Sequence, residues 1–68
     1  SQLSKKKAAI TIDDDVLVFN RPTIYSTPKV ILKKGRLCKI KNCKDEWCKI
    51  TVDRFKGWVK KDSLWGLL

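Results

Sequence analysis

The sequence contains no histidine. That one absence removes the usual proton shuttle, the customary partner of a nucleophilic serine or cysteine, and the commonest metal ligand. Long apolar runs are missing too, and no stretch approaches the ~20 residues of a membrane-spanning helix. The first ten residues, Ser1 to Ile10, begin basic but lack the long apolar stretch of a secretory leader, so any such leader is expected to have been removed before this chain begins. Room is also short. A chain of 68 residues allows one domain and one small core, because at this size only about 60% of the unfolded chain's surface is buried. A large enclosed active-site cavity is not expected, and no cofactor is.

What is present suits a soluble globular domain: 43% hydrophobic and 34% charged residues. Sixteen Lys and Arg stand against seven Asp and Glu, a net charge of +9. That excess attracts polyanions such as nucleic acid, an anionic cell wall or acidic lipid. A plainer reading treats the charge as a solvated coat with no dedicated partner.

Along the chain, residues 1–8 read as a flexible basic leader, because Lys5-Lys6-Lys7 closes a polar segment without periodicity. Residues 9–68 read as the folded domain. Ala9 to Ile12 has strand chemistry, Asp13-Asp14-Asp15 is a turn, and Val16 to Phe19 is a second β-branched and aromatic run. Between Asn20 and Lys29, Pro22 and Pro28 remove ladder donors and fix φ, which predicts a long irregular loop with Tyr25 in its middle. Lys29 to Leu32 resumes as a strand and Lys33-Lys34-Gly35 turns the chain, Gly35 supplying a backbone conformation other residues resist. Arg36 to Cys43 and Trp47 to Val52 make a hairpin around Lys44-Asp45-Glu46. A reversal at Asp53 to Lys56 leads to the strand Gly57 to Lys60, one tight helical turn at Lys61 to Leu64, and a last run from Trp65. Short strands with a turn signal every few residues describe a sandwich or small barrel.

Cys38, Cys43 and Cys48 are spaced five apart. Five residues of strand span roughly 16 Å, whereas bridged Cα atoms lie at most about 7 Å apart, so Cys38 cannot reach Cys43. With the hairpin turning at Asp45, Cys43 and Cys48 face each other, and Cys38 lies opposite residues near Asp53. A Cys43–Cys48 disulfide is therefore the expected bridge, and it favours a periplasmic or secreted location over the cytoplasm. The alternative is three reduced thiols, with Cys38 and Cys48 acting as small buried hydrophobes. Zinc lacks a close Cys-x-x-Cys pair and a histidine; a cysteine nucleophile lacks an activating base; the Asp13-Asp14-Asp15 run lacks the spaced ligands of a calcium loop. No metal site and no enzymatic activity are expected.

Lys33-Lys34-Gly35, Trp47-Cys48-Lys49-Ile50, Gly57-Trp58-Val59 and Leu64-Trp65-Gly66, in that order, resemble the bacterial SH3-like domain family over nearly everything after the leader. Many members carry Asn-Val-Arg and then Gly-Pro in the first loop, where this chain has Phe19-Asn20-Arg21-Pro22, so no ligand site is carried over to Arg21 or Pro22. The resemblance implies an all-β, five- to six-stranded barrel with one short 3-10 turn near the C-terminus. It also implies a non-catalytic binding module of the bacterial cell envelope. In so small a barrel the interior is filled by side chains, so a ligand must use a surface groove between loops. Tyr25, Trp47 and Trp65 are the ligand-binding candidates, each able to stack a flat amphipathic face on a sugar ring or peptide. Trp58, in mid-strand, is expected to serve the core, a duty Trp65 could share. The expected partner is a peptidoglycan-type wall polymer or a protein. Nucleic acid held by stacking and phosphate contacts is an alternative, as is a purely structural module of a longer precursor.

Overall fold

In the computed structural model, which describes residues 7–67, every short apolar run of the sequence is a separate strand. The elements are β1 (Ala8–Thr11), β2 (Val16–Phe19), β3 (Pro28–Leu32), β4 (Leu37–Lys44), β5 (Trp47–Val52), β6 (Phe55–Lys60), a 3-10 turn at Lys61–Ser63, and β7 (Leu64–Leu67). The all-β class and the 3-10 turn match expectation, but the strands among the described residues number seven and not five or six. The difference lies in the two four-residue runs at the chain's ends. They pair with each other from Ala8↔Leu67 to Thr11↔Leu64, and β1 also pairs with β4, so each counts as a strand of the sheet. The leader expected over residues 1–8 lies mostly outside the described residues. Ala8 already belongs to β1, and the carbonyl of Lys7 accepts a hydrogen bond from the amide of Ile40.

All neighbours in the sheet are antiparallel, in the order β3-β2-β6-β5-β4-β1-β7. The buried cluster nevertheless draws on every strand, from Leu32 of β3 at one end to Leu64 of β7 at the other. A flat sheet could not bring those two together, so the sheet curls into a barrel with one inner face. Thr11 ties the curl shut. Its buried hydroxyl donates to the carbonyl of Lys33, just past β3, and accepts from the amide of Arg36, so a side chain on β1 holds the turn that follows the distant edge strand.

Strand alternation then sorts side chains by face. On β5, Cys48, Ile50 and Val52 point into the cluster, while Trp47, Lys49 and Thr51 point outward. On β4, Cys38 and Ile40 point in. Strict alternation would next send Asn42 inward, but the register shifts between Ile40 and Asn42, with Lys41 as the extra residue. This bulge resets the phase, so Asn42 pairs with outward Lys49 and Cys43 meets inward Cys48. The tight turns rest on left-handed backbone at Asp15, Asp45 and Asp53, which aspartate tolerates better than most residues, and at Gly35 with φ 84°. Gly57 serves packing instead. A Cβ there would sit 2.6 Å from the carbonyl oxygen of Phe19 and 2.7 Å from a methyl of Val18, so only glycine lets β6 lie this close to β2.

Candidate ligand groove

Beyond the inner cluster, the outward face of β2 carries a groove of about 300 Å³. Leu17 and Phe19, alternate residues of β2, form its apolar floor, and Ile24 reaches in from the β2–β3 loop. Asp13, Asp14 and Asp15 also line it, together with Lys60 and Ser63. The sign is notable on a chain of net charge +9, because three of its seven acidic residues line the groove. Lys33 partly answers them. Its ammonium meets Asp15 at 2.7 Å, and that hydrogen bond, followed by the Asp15 charge, raises the Lys33 pKa above its ordinary 10.5.

Trp47 does not offer a free face, contrary to expectation. It is only 9% exposed and packs edge-to-face against Phe19, with ring centroids 5.5 Å apart. Phe19 itself is 8% exposed and lines the groove, so Trp47 supports the groove wall from behind. Its position beside a turn suggested exposure, but it points to the outward side of β5, where the Phe19 ring covers it. Trp58 also points outward and not into the core; it is half-buried and pairs with Phe19 on one side and Lys49 on the other. Tyr25 is 91% exposed and lines a separate, polar depression with Asn20, Arg21, Thr23, Ser26 and Thr27. Its neighbour Ile24 faces the groove, so the loop straddles the two. Trp65 lies on β7, at the opposite end of the strand order from β3, 64% exposed. The structure therefore brings Trp47 to the groove indirectly, Tyr25 beside it, and Trp65 to neither depression.

The sequence reading missed the groove's own lining. A signal for Leu17 was present: in Val16-Leu17-Val18-Phe19, alternation puts Leu17 and Phe19 on the face opposite Val16 and Val18. Ile24, a lone aliphatic between two prolines, was the other signal.

Cys43 and Cys48 are directly opposed across the β4–β5 hairpin and form a disulfide. Cys38 is a free, buried thiol, 3.6 Å from the carbonyl of Arg36. Burial raises its pKa above the ordinary 9.0, and the positive charge of Arg36 opposes that only in part. A buried protonated thiol is a poor nucleophile. Among the described residues no three His, Cys, Asp or Glu side chains are grouped to hold a metal, and no helix is long and apolar enough to cross a membrane.

No curated protein and no solved structure matches the chain. The model of the bacterial SH3 domain family matches residues 13–66, from the acidic turn beside the groove to Gly66 of β7. With the curled antiparallel sheet, the looped groove and the closing 3-10 turn, that match places the chain in the bacterial SH3 domain family.

Proposed function

We propose that this domain is a non-catalytic binding module of the bacterial cell envelope, and that its groove takes the peptide portion of a peptidoglycan-type wall polymer. The observation that carries the reading is the groove itself: an apolar floor of Leu17, Phe19 and Ile24 beside three carboxylates. Such a lining suits a short extended peptide with small apolar contacts and an ammonium group at the acidic side. A protein segment of the same character would be held in the same way. The Cys43–Cys48 disulfide supports a periplasmic or secreted setting, since such bonds persist in oxidising compartments. Nucleic acid is disfavoured at this site, because its phosphates would face the Asp13, Asp14 and Asp15 carboxylates.

The reading is tested by co-sedimentation with purified peptidoglycan, before and after enzymatic removal of its peptides. Wild-type chain should sediment with the intact polymer and not with the bare glycan. Ile24→Ser and Asp14→Asn, both at exposed positions, should each weaken binding by about fivefold, the worth of roughly 1 kcal/mol of apolar contact or partly screened charge. Equal binding to bare glycan, or full binding by both variants, would end the proposal.

A further inference from the structure

A second surface stands apart from the groove. Outward residues of β4, β1 and β7 line up across the sheet as Leu37, Ile10 and Trp65, because Ile10 pairs with Leu37 on one side and Trp65 on the other. Leu37 and Trp65 are 62% and 64% exposed. The next outward row along these strands runs Leu67, Ala8, Lys39, and continues across β5 and β6 as Thr51 and Lys56. An apolar row thus lies directly beside a row that carries Lys39, with Lys41 exposed at the neighbouring bulge. None of the seven strands contains an acidic residue; all seven acids sit in turns. Asp53, the carboxylate at the turn next to Leu37 and Lys39, is already held by Arg36.

We propose that this face docks on a membrane surface containing anionic phospholipid. Trp65, Leu37 and Ile10 enter the headgroup boundary, where an indole is at home, and Lys39 and Lys41 lie over the lipid phosphates. The two halves of the surface select this occupant together. Leu37 and Ile10 offer no stacking face for bases, so a nucleic acid would use the lysines and Trp65 and leave the two aliphatic side chains wet. A second copy would bring another +9 against the first, and like charge opposes that contact. A bilayer with acidic headgroups satisfies both rows at once. The face shares no lining residue with the groove: it lies over β4, β1 and β7, whereas the groove is lined by β2, the turns beside it, Lys60 and Ser63. A chain seated by this face could bind wall material and membrane together.

Flotation of the full chain with vesicles tests the proposal, using phosphatidylglycerol mixed with phosphatidylcholine against phosphatidylcholine alone. Wild-type protein is expected to float with the anionic vesicles and to be released by high salt, since exposed charges are screened over a Debye length. Lys39→Gln and Lys41→Gln should each lower partitioning by about fivefold, as one lysine contributes near an anionic surface. Trp65→Ser combined with Leu37→Ser should lower it by more than about tenfold. Circular dichroism and thermal melting establish that the variants remain folded. Ile24→Ser should float like wild type, which separates this surface from wall binding whatever becomes of the groove. Four results would overturn the proposal: no flotation, equal flotation with neutral vesicles, undiminished flotation of the folded Trp65→Ser/Leu37→Ser variant, or self-association through this face in place of lipid binding. Lysine-dependent capture of single-stranded oligonucleotide by a chain that ignores vesicles would reassign the face to nucleic acid.

Discussion

Two outward faces of one curled sheet carry aromatic side chains, and they differ in what lies over them. Across β2, β6 and β5, Phe19 and Trp47 cover one another until each is less than a tenth exposed, beside the groove that Ile24 reaches into. Across β4, β1 and β7, Leu37 and Trp65 stand bare. Both faces arise from the same period-two alternation, so alternation alone cannot say which outward aromatic is covered. The neighbours decide it. Where a second aromatic stands on the same face, an outward ring becomes a small core of its own. Where β7 ends the strand order, the ring remains available to something outside the molecule. Trp47 is thus covered and Trp65 bare, although both are tryptophans on outward strand positions.

The sharpest way to break that contrast is to truncate both rings. Trp47→Ala should destabilise the domain by about 3 kcal/mol, as expected when a large buried aromatic is removed. Trp65→Ala should change stability by less than about 0.5 kcal/mol, as expected for an exposed site. Urea unfolding followed by far-UV circular dichroism measures both, and similar losses would mean that the two faces are not different in kind. Thr11→Val comes next. It keeps the shape but strips the buried hydroxyl from the Lys33 carbonyl and the Arg36 amide, at a cost of about 1–3 kcal/mol for groups left without partners. A neutral result would show that the barrel does not depend on that closure. Gly57→Ala, forced against the Phe19 carbonyl and the Val18 methyl, should cost a similar ~1–3 kcal/mol by overpacking, and should also loosen Phe19 and with it the covered face. Reduction of Cys43–Cys48, or its replacement by a serine pair, should cost about 2 kcal/mol, the modest entropy of a short loop. Melting of the oxidised and reduced chains side by side measures it.

Much of the fold was legible because its signals are local. The aspartates at positions 15, 45 and 53 and Gly35 mark the turns they occupy, and the prolines at 22 and 28 bracket the loop. The opposition of Cys43 and Cys48 followed from a turn at Asp45 alone. What was not legible depends on which strands meet far along the chain. Lys41 carries no mark of the bulge that turns Cys43 inward; only the β5 partner imposes it. Thr11 reads as an ordinary strand residue until the turn after β3 arrives over it. The burial of Trp47 depends on Phe19, twenty-eight positions earlier. The groove's apolar floor could be inferred from the phase of β2 and the Asp13-Asp14-Asp15 run beside it is local, but its far side could not, since Lys60 and Ser63 come from the other end of the sequence.

The smallest expected effect reports on the bare face from beneath. Cys38 lies on β4 between Leu37 and Lys39, its side chain pointing inward while theirs point out, and the residue is 1% exposed. Burial holds its pKa above the 9.0 it would have in the unfolded chain. Below that pH the thiol is protonated in both states, and its contribution to stability is complete. As pH rises past 9 the unfolded chain releases the proton while the native chain keeps it, so the unfolded state binds fewer protons and stability falls until the folded pKa is passed. Lys33 slopes the same way at higher pH, because Asp15 raises its pKa in the fold. Cys38→Ala separates the two: the variant should lose the decline just above about pH 9 and retain the later one. Urea midpoints of both chains across that range measure the effect, and a native thiol buried as described should resist alkylation at about pH 8 until the chain is unfolded. Rapid alkylation of native protein would mean that the β4–β1–β7 wall opens readily. The bare face would then differ from the covered one in local stability as well as in exposure.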